Sequence, residues 1–565
     1  MVPARLSPSE TRAQDLALVS QCSLDSLQAK LPLAWHTPPD TSPSPKRHYR
    51  SFYIWQGFAD PEERANWEHL SDFDLALRLV DFSGLRPVLA SLLGWTSARG
   101  RCPFDPVSMF LFVSWRLVNG WNRAQALRNL SQPRYADYRQ RFGFAQGCLP
   151  TEGGVRYFLT TLGQNSAVAG DIITVELEDD QKVHIAVQYL NRLIAGSVIL
   201  LCDAGLVSPE AWQKALVCPD GMIHDAASRM RCAFVQASCY QPSSVAEPRP
   251  CPAKLKGKPG CDCDTLACTL SCRRAPNRDP QARSVVYSGA NHSQVNGDST
   301  TEGAGRGRLR YGYRSLPLQF AEPRRRFSLV LLDDFLPANG REENHAAAFL
   351  RQLQLFYPDL HIEVAAGDAG LGYFSYLHAA YRLGAKRVVD LRADPGDQNK
   401  ADWPLRGYND QGRPVCPYGY ALISNGFDSH RQRHKWFCGQ SCLRGATPLV
   451  NLPQVVYPPD ECAHQAPDRP HGKIVNLAET FPNGSIRLVR DIPVGTPAWE
   501  RLYHRARNAS EFRHTVLEGW GLKRMPVYGQ PRGWAFTAVA DTWLNLTTLA
   551  RLVREATRAA RGSPG

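Results

Sequence analysis

From about residue 61 to residue 162, apolar side chains recur every three or four positions, the period of a helix with one buried face. Leu75, Leu77, Leu79 and Val80, then Val88, Leu89, Leu92 and Leu93, supply the first of these pairs. Asp105-Pro106 offers an N-cap followed by a proline at the first helical position. Behind it run Met109, Phe110, Leu111, Phe112, Trp115, Leu117 and Val118, and Asn119-Gly120 ends the run. This predicts an all-helical module with Arg116, Arg123 and Arg128 on its polar positions. The period then changes. Residues 183–240 read as mixed strand and helix, with 198–202 a short buried strand, and 245–310 reads as irregular. From residue 327 a cleaner alternation follows: strand 327–332, helix 343–356, strand 362–366, helix 373–383 and strand 387–391. That order implies a central sheet with helices packed on it. Residues 393–495, rich in Cys, His, Pro and Gly, are expected to form an inserted β-rich subdomain, and helices over 498–519 and 535–560 close the chain.

The fold class is therefore α/β. A loosely ordered leader is expected over 1–60, a helical domain over 61–165, and the first part of an α/β core over 183–392 with a Cys/Arg-rich insertion at 232–326. The β-rich insertion at 393–495 and a helical part of the core at 496–560 complete the expected order. No apolar run approaches the roughly 18 residues of a membrane helix; the longest, 194–202, includes Ser197. The first residues lack the apolar core of a signal peptide, so a cytoplasmic protein is expected. The 43% hydrophobic and 21% charged composition of the 565 residues excludes a largely disordered chain, a collagen and a simple coiled coil.

A formal charge of +13 favours a polyanionic partner. Most of the basic residues are arginine, the better side chain for two-pronged phosphate contacts. Residues 273–326 hold 11 Arg against 4 acidic residues, which suggests a face toward nucleic acid.

The 16 cysteines are unevenly placed. In a reducing compartment, clusters point to metal before disulfides. Cys251, Cys261, Cys263, Cys268 and Cys272 offer thiolates enough for a tetrahedral Zn²⁺, with Cys232 or Cys239 as further donors. Cys416, Cys438, Cys442 and Cys462, near His430, His434 and His464, form a second candidate zinc site. The other reading of both clusters is reduced structural thiols.

Three acids stand out for catalysis. Asp368, in Ala-Gly-Asp-Ala-Gly, ends an apolar strand at a glycine-permissive turn, where ligands gather in α/β sheets. On a helix, Tyr503, Arg507 and Glu511 step by four and share a face. Asp220, in Cys-Pro-Asp-Gly, supplies the third acid, with Asp203 and Asp225 competing for the same part. As single residues they read equally well as a helix-capping Asp, a solvated Arg–Glu pair and turn formers.

Taken together, these segments resemble the DDE transposases of bacterial insertion sequences. Gly100-Arg-Cys-Pro-Phe-Asp-Pro106, the apolar helix behind it and Leu149-Pro-Thr-Glu-Gly-Gly-Val-Arg156 are similar to that family's N-terminal domain. Asp220-Gly with the following Ala-Ala-Ser-Arg resembles its first-aspartate motif, and Arg278-Asp-Pro-Gln-Ala-Arg283 with Tyr311-Gly-Tyr resembles the block after it. The Gly-Asp368-Ala-Gly turn and the Arg507/Glu511 helix complete the series, at intervals of 148 and 143 residues. The likeness runs in order over about residues 95–555. The family's last motif places a Tyr where this chain has His504, with Tyr503 one residue off, and a Lys where it has Glu518, with Lys523 further on.

The resemblance implies an RNase H-like core, two Mg²⁺ (or Mn²⁺) ions held by Asp220, Asp368 and Glu511, and cleavage and joining of double-stranded DNA by an oligomer assembled on element ends. Asp220 would bridge both ions, with Asp368 and Glu511 holding one each. Arg507, Arg278, Arg283, Arg116 and Arg123 are the expected DNA contacts. Two other readings share the same residues. One is a zinc-stabilised DNA-binding relic without catalysis, the other a related nuclease working through the same site.

Overall fold

Five short segments dominated by apolar residues build a central sheet: β1 (Ala215–Pro219), β2 (Leu318–Ala321), β3 (Ser328–Leu332), β4 (Ile362–Gly367) and β5 (Lys386–Val389). They belong to a computed structural model that describes residues 31–36, 48–95, 102–227, 279, 281–287, 308–322, 327–390, 409, 413–416, 418–431, 433–446, 462, 468–478, 491–492 and 496–562. The strand order is β3-β2-β1-β4-β5. β1 to β3 form an antiparallel meander, while β4 lies parallel to β1 and β5 parallel to β4. Register pairs Val217 with Ala365 and Ala366 with Val388.

Successive side chains of a strand face opposite sides. Leu216, Cys218, Val364, Ala366 and Val388 therefore share one face, where they meet Trp499, Ala506 and Ala509. Ala215, Val217, Ala365 and Val389 turn the other way and join the main core. The helices that matter are α1 (Asp72–Leu79), α2 (Pro106–Val118), α3 (Glu152–Val168), α4 (Asn191–Asp203), α5 (Glu342–Phe356), α6 (Phe374–Arg382), α7 (Pro497–Gly519) and α8 (Gln530–Gly562). α7 covers the first face and spans all five strands of the sheet. α4 and α8 pack on β3 from the second, and α8 also touches α1, α2 and α3.

The main core is continuous from Leu33 to Ala556. Phe73 and Phe82 place their rings 4.4 and 5.5 Å from that of Trp543 on α8. The N-terminal helices thus share their interior with the α/β core, because the 33-residue α8 supplies one buried face to both. A mixed α/β architecture is what the alternating pattern predicts, and the helices and strands of 327–391 lie within a residue or two of their expected bounds.

Three expectations change. The apolar run 198–202 is part of α4, because that helix is buried between β3 and α8 and carries apolar residues almost all round; a short apolar run has no period to separate helix from strand. The leader is partly docked: Leu33 and Trp35 are buried, and Leu31–Pro32 pairs in parallel with Val80–Asp81. Gly196 on α4 permits this approach, since a Cβ there would lie 2.0 Å from the Ala34 carbonyl oxygen. Residues 245–310, expected to be irregular, contain the strand Arg283–Tyr287 and the start of the long strand Arg308–Ser315. The latter joins a second sheet with Met222–Asp225, Phe335–Pro337 and Arg283–Tyr287.

That second sheet explains one sequence block. Buried Asp279 accepts hydrogen bonds from the Tyr313 hydroxyl and from the Gly529 backbone N–H at 3.0 Å, while the Tyr311 hydroxyl donates to its carbonyl at 2.6 Å. Gly312 lies between the tyrosines, where a Cβ would strike the His224 carbonyl oxygen at 1.9 Å. Among the described residues, no helix is long and apolar enough to cross a membrane. A further antiparallel sheet, β6 (Ile423–Asp428), β7 (Arg433–Phe437) and β8 (Ile474–Ala478), lies between β5 and α7 in sequence.

Candidate active site

β1 ends at Pro219 and β4 at Gly367, so Asp220 and Asp368 are the first residues beyond two neighbouring parallel strands. Parallel pairing brings both carboxylates to the same edge of the sheet, the edge where open α/β sheets bind ligands. Asp220 is buried at 8% exposure, and Asp368 is half-buried. Burial, and then the negative charge of Asp220, push the Asp368 carboxyl above its usual range; Arg507 and the Gly370 backbone N–H pull the other way. A carboxyl whose proton affinity is raised by burial and a neighbouring carboxylate lacks a full complement of positive charge.

Arg507 supplies part of it. The small residues Ala506 and Ala509 let α7 lie close on the sheet, and Arg507 between them donates from Nη1 to Asp220 Oδ2 at 2.9 Å. Its Nη2 lies 3.7 Å from Oε1 of Glu511, one turn along the helix. Burial works against the guanidinium charge, but Asp220, Tyr503 and Asp368 outweigh it and hold Arg507 more firmly protonated than usual. Glu511 is 62% exposed at its side chain, so the three acids are arranged around one arginine, two at the sheet edge and one at the rim. Among the described residues, no three His, Cys, Asp or Glu side chains are grouped so as to hold a metal ion as they stand.

On the same helix face, Tyr503 stacks on Trp499 with centroids 4.2 Å apart and directs its hydroxyl to Asp390 at 3.5 Å. His504 points to solvent. Tyr503 therefore faces the acids, although its sequence position is one off the resembled motif. Glu518 pairs with Lys523 away from them. The competing aspartates fall elsewhere. Asp203 is exposed at the end of α4, and Asp225 is held by Arg310 at 2.8 Å in the second sheet.

The structure adds a carboxyl that the sequence did not single out. Glu342, in the first turn of α5, pairs with Arg314. A Cβ on Gly221, next to Asp220, would meet its Oε2 at 2.4 Å. Burial, offset by Arg314 and reinforced by Asp368 and Asp220, pushes the Glu342 carboxyl up to about 7. Its only signal in the sequence is a place in an ordinary acidic first turn. His514 is also close, with a backbone hydrogen bond to Asp220; burial and then Arg513 push its imidazole down to about 3, which keeps it neutral.

Among the expected DNA contacts, Arg116 is corrected. It is 1% exposed, donates from Nε to the Trp121 carbonyl at 3.1 Å and lies 4.9 Å from the Phe536 ring. α2 has no polar face, because α8 covers it, and no phosphate reaches a sealed guanidinium. Arg123 is half-buried at the start of its helix, Arg128 is exposed, and Arg283 sits on an edge strand. Arg278 and the thiols Cys251, Cys261, Cys263, Cys268 and Cys272 lie outside the described residues.

Whether a hard divalent cation suits the edge follows from its donors. Mg²⁺ takes oxygen ligands, keeps several waters and commonly uses only one or two carboxylates. Asp220 and Asp368, on adjacent strand ends with a single arginine bonded to the first, fit that demand. Compared with known proteins, the chain matches no family model and no curated protein.

Proposed function

We propose that this chain is a DDE-type DNA transposase of an insertion sequence, with an RNase H-like core that cleaves and joins DNA strands. One observation carries the reading. Two aspartates 148 residues apart leave the carboxyl ends of adjacent parallel strands in a sheet ordered 3-2-1-4-5, and an arginine from the C-terminal helix reaches the first of them. An antiparallel meander joined edge to edge with two parallel strands supports the RNase H-like reading. The order of the acidic motifs along the chain supports the same reading.

Asp220 and Asp368 would hold the divalent ions, with Glu511 completing the set from the rim. The ions would supply activation of the attacking oxygen and stabilisation of the leaving one. The protein's own residues do the rest. Arg507 keeps Asp220 in place and offers a second guanidinium edge to a phosphate. Glu342, close to neutral, can share a proton with groups at the edge near pH 7. The excess of arginine supports a double-stranded DNA partner, and joining two element ends requires more than one copy of the chain on DNA.

The test uses purified protein, labelled element-end DNA and Mg²⁺ or Mn²⁺. Wild type cuts the end and transfers it to target DNA. Asp368→Ala binds the end normally and does not cut. Cleavage without strand transfer would identify a nuclease of the same chemistry. Cleavage by the Ala variant at the wild-type rate would end the proposal.

A further inference from the structure

The small sheet β6-β7-β8 has very little interior. Apart from Val475, its core consists of Cys416, Tyr418 and Leu422, with Tyr420, Trp436, Cys438 and Cys462 partly buried against them. β6 is exposed along nearly all its length, and no side chain of β7 is fully buried. A unit this size rarely folds on hydrophobic burial alone and needs a cross-link, a metal or a partner.

Its four cysteines converge. Cys416 lies in the turn between bridged Val415 and Ala421, and Cys438 directly follows β7. Cys442 sits in the helical turn Ser441–Arg444, and Cys462 comes from a separate stretch of chain. All four line one cavity of about 10 Å³, room for about one water-sized occupant. None is in a disulfide. Among the described residues, the cavity wall contains no Asp, Glu, Lys or Arg.

The backbone around two of the sulfurs is already turned toward them. Cys416 Sγ accepts the Tyr420 N–H at 3.4 Å and is also approached by the Tyr418 N–H. Cys438 Sγ is approached by the Gln440 N–H, in a turn where Gln440 takes φ +52°. In both loops the donor lies two residues after the cysteine. Backbone N–H groups aimed at sulfur favour the thiolate over the thiol. Four sulfurs and N–H donors in place, with no charged side chain among the described lining residues, make a setting that a thiophilic dication would complete.

We propose that Cys416, Cys438, Cys442 and Cys462 bind one structural Zn²⁺ as an all-thiolate tetrahedral site. The sulfur side chains close on the ion by small rotations, since they are not grouped to metal-binding geometry beforehand. Zinc releases four protons on binding and makes four Zn–S bonds. His430 and His434 are not ligands: neither lines the cavity, and His434 packs on Phe427 and Trp436, while His464 lies outside the described residues. The ion clamps the turn after β7 to the turn before β6, which is the cross-link the sheet otherwise lacks. This proposal is independent of the transposase reading.

The test uses the full chain with Cys251, Cys261, Cys263, Cys268 and Cys272 all changed to Ser, so that the other cluster cannot contribute. Reduced protein is dialysed against Zn²⁺ or Co²⁺. One equivalent of either metal is expected to be retained, and the cobalt form should show the sulfur-to-cobalt charge-transfer band with tetrahedral visible bands. Adding Cys438→Ser with Cys442→Ser should remove that equivalent, whereas His430→Ala with His434→Ala should leave it. A second measurement, on wild-type protein, needs no variant to fold. Chelation should expose the four thiols to alkylation, and Zn²⁺ should protect them again. Retention of less than half an equivalent in the five-serine chain, together with unchanged alkylation on chelation of wild type, would overturn the proposal. A spectrum showing nitrogen ligation, lost in the histidine variant, would overturn the all-thiolate set.

Discussion

In the central sheet, every residue of β1 and all but one of β4 are buried, with helices on both faces. In the small sheet, β6 offers almost nothing to an interior and β7 only half-buried side chains. Both sheets present chemistry-bearing residues at strand ends, Asp220 and Asp368 in one, Cys438 in the other. The first can hold two mutually repelling carboxylates because its packing over-determines where they go. The second has no such reserve, and under the proposed zinc site its cysteines would carry the structural load that apolar side chains carry elsewhere. An edge on a large core can be electrostatically costly, because packing elsewhere holds it in place.

The sharpest way to break this contrast is at the acids. Asp220→Asn or Asp368→Ala should cost about 10³-fold or more in cleavage, the loss of several kcal/mol of charge stabilisation. Circular dichroism and end binding should stay at wild-type level. The next effect is on stability. Arg513, fully buried, bonds Asp541 at 2.7 and 2.9 Å and reaches Asp333 at 3.4 Å. Arg513→Ala strands two buried acids and should cost about 3–5 kcal/mol in denaturant unfolding. Arg433→Ala, which removes a pair with Asp428 on the small sheet, should leave the same transition unmoved.

A smaller expected loss tests how closely α7 must lie on the sheet. Ala509→Leu inserts three carbons between the helix and Ala321, Val364 or their neighbours, and should cost about 1–3 kcal/mol. If Arg507 is lifted from Asp220, cleavage falls further than that loss of stability explains. Chelation of zinc should give a local effect. Protease cuts should appear within residues 413–478 while the central sheet keeps its hydrogen-exchange protection.

The smallest effect is a pH slope. His224 donates from Nδ1 to the Leu522 carbonyl and accepts the Ser315 hydroxyl at Nε2, both at 2.7 Å. Burial, opposed by the Leu522 bond and reinforced by Arg513, pushes its imidazole down to about 3. Below the ordinary histidine pKa of about 6.5, the unfolded chain takes up a proton that the folded one refuses. This group's contribution is therefore complete above about pH 6.5 and is lost as pH falls toward 3. His224→Asn should flatten that part of the stability curve, as read from denaturation midpoints between pH 7 and 4.

Much of the site was legible because its signals are local. A run of β-branched and small residues ending in Gly-Asp marks a strand terminus, and i, i+4 spacing puts Tyr503, Arg507 and Glu511 on one helix face. Asp220 could not be separated from Asp203 and Asp225 in this way. All three follow short apolar stretches, and only the pairing of β1 with β4 selects one. Arg116 misled for a related reason. Its position looks polar on α2 considered alone, but α8, about 400 residues later in the chain, covers it. Glu342 carried no signal, since an acid in a first helical turn is ordinary until another strand's end arrives beside it.

What the amino-acid order determined by itself is the set of elements from 327 to 391, the α/β class, the clustering of thiols and the acidic candidates. These depend on periods and spacings within a few turns of chain. What only the tertiary structure decided is which aspartate neighbours Asp368, which arginines remain accessible, and that the N-terminal helices share their interior with the sheet. Those outcomes depend on contacts between segments hundreds of residues apart, and no local pattern encodes the burial or charge that such contacts create.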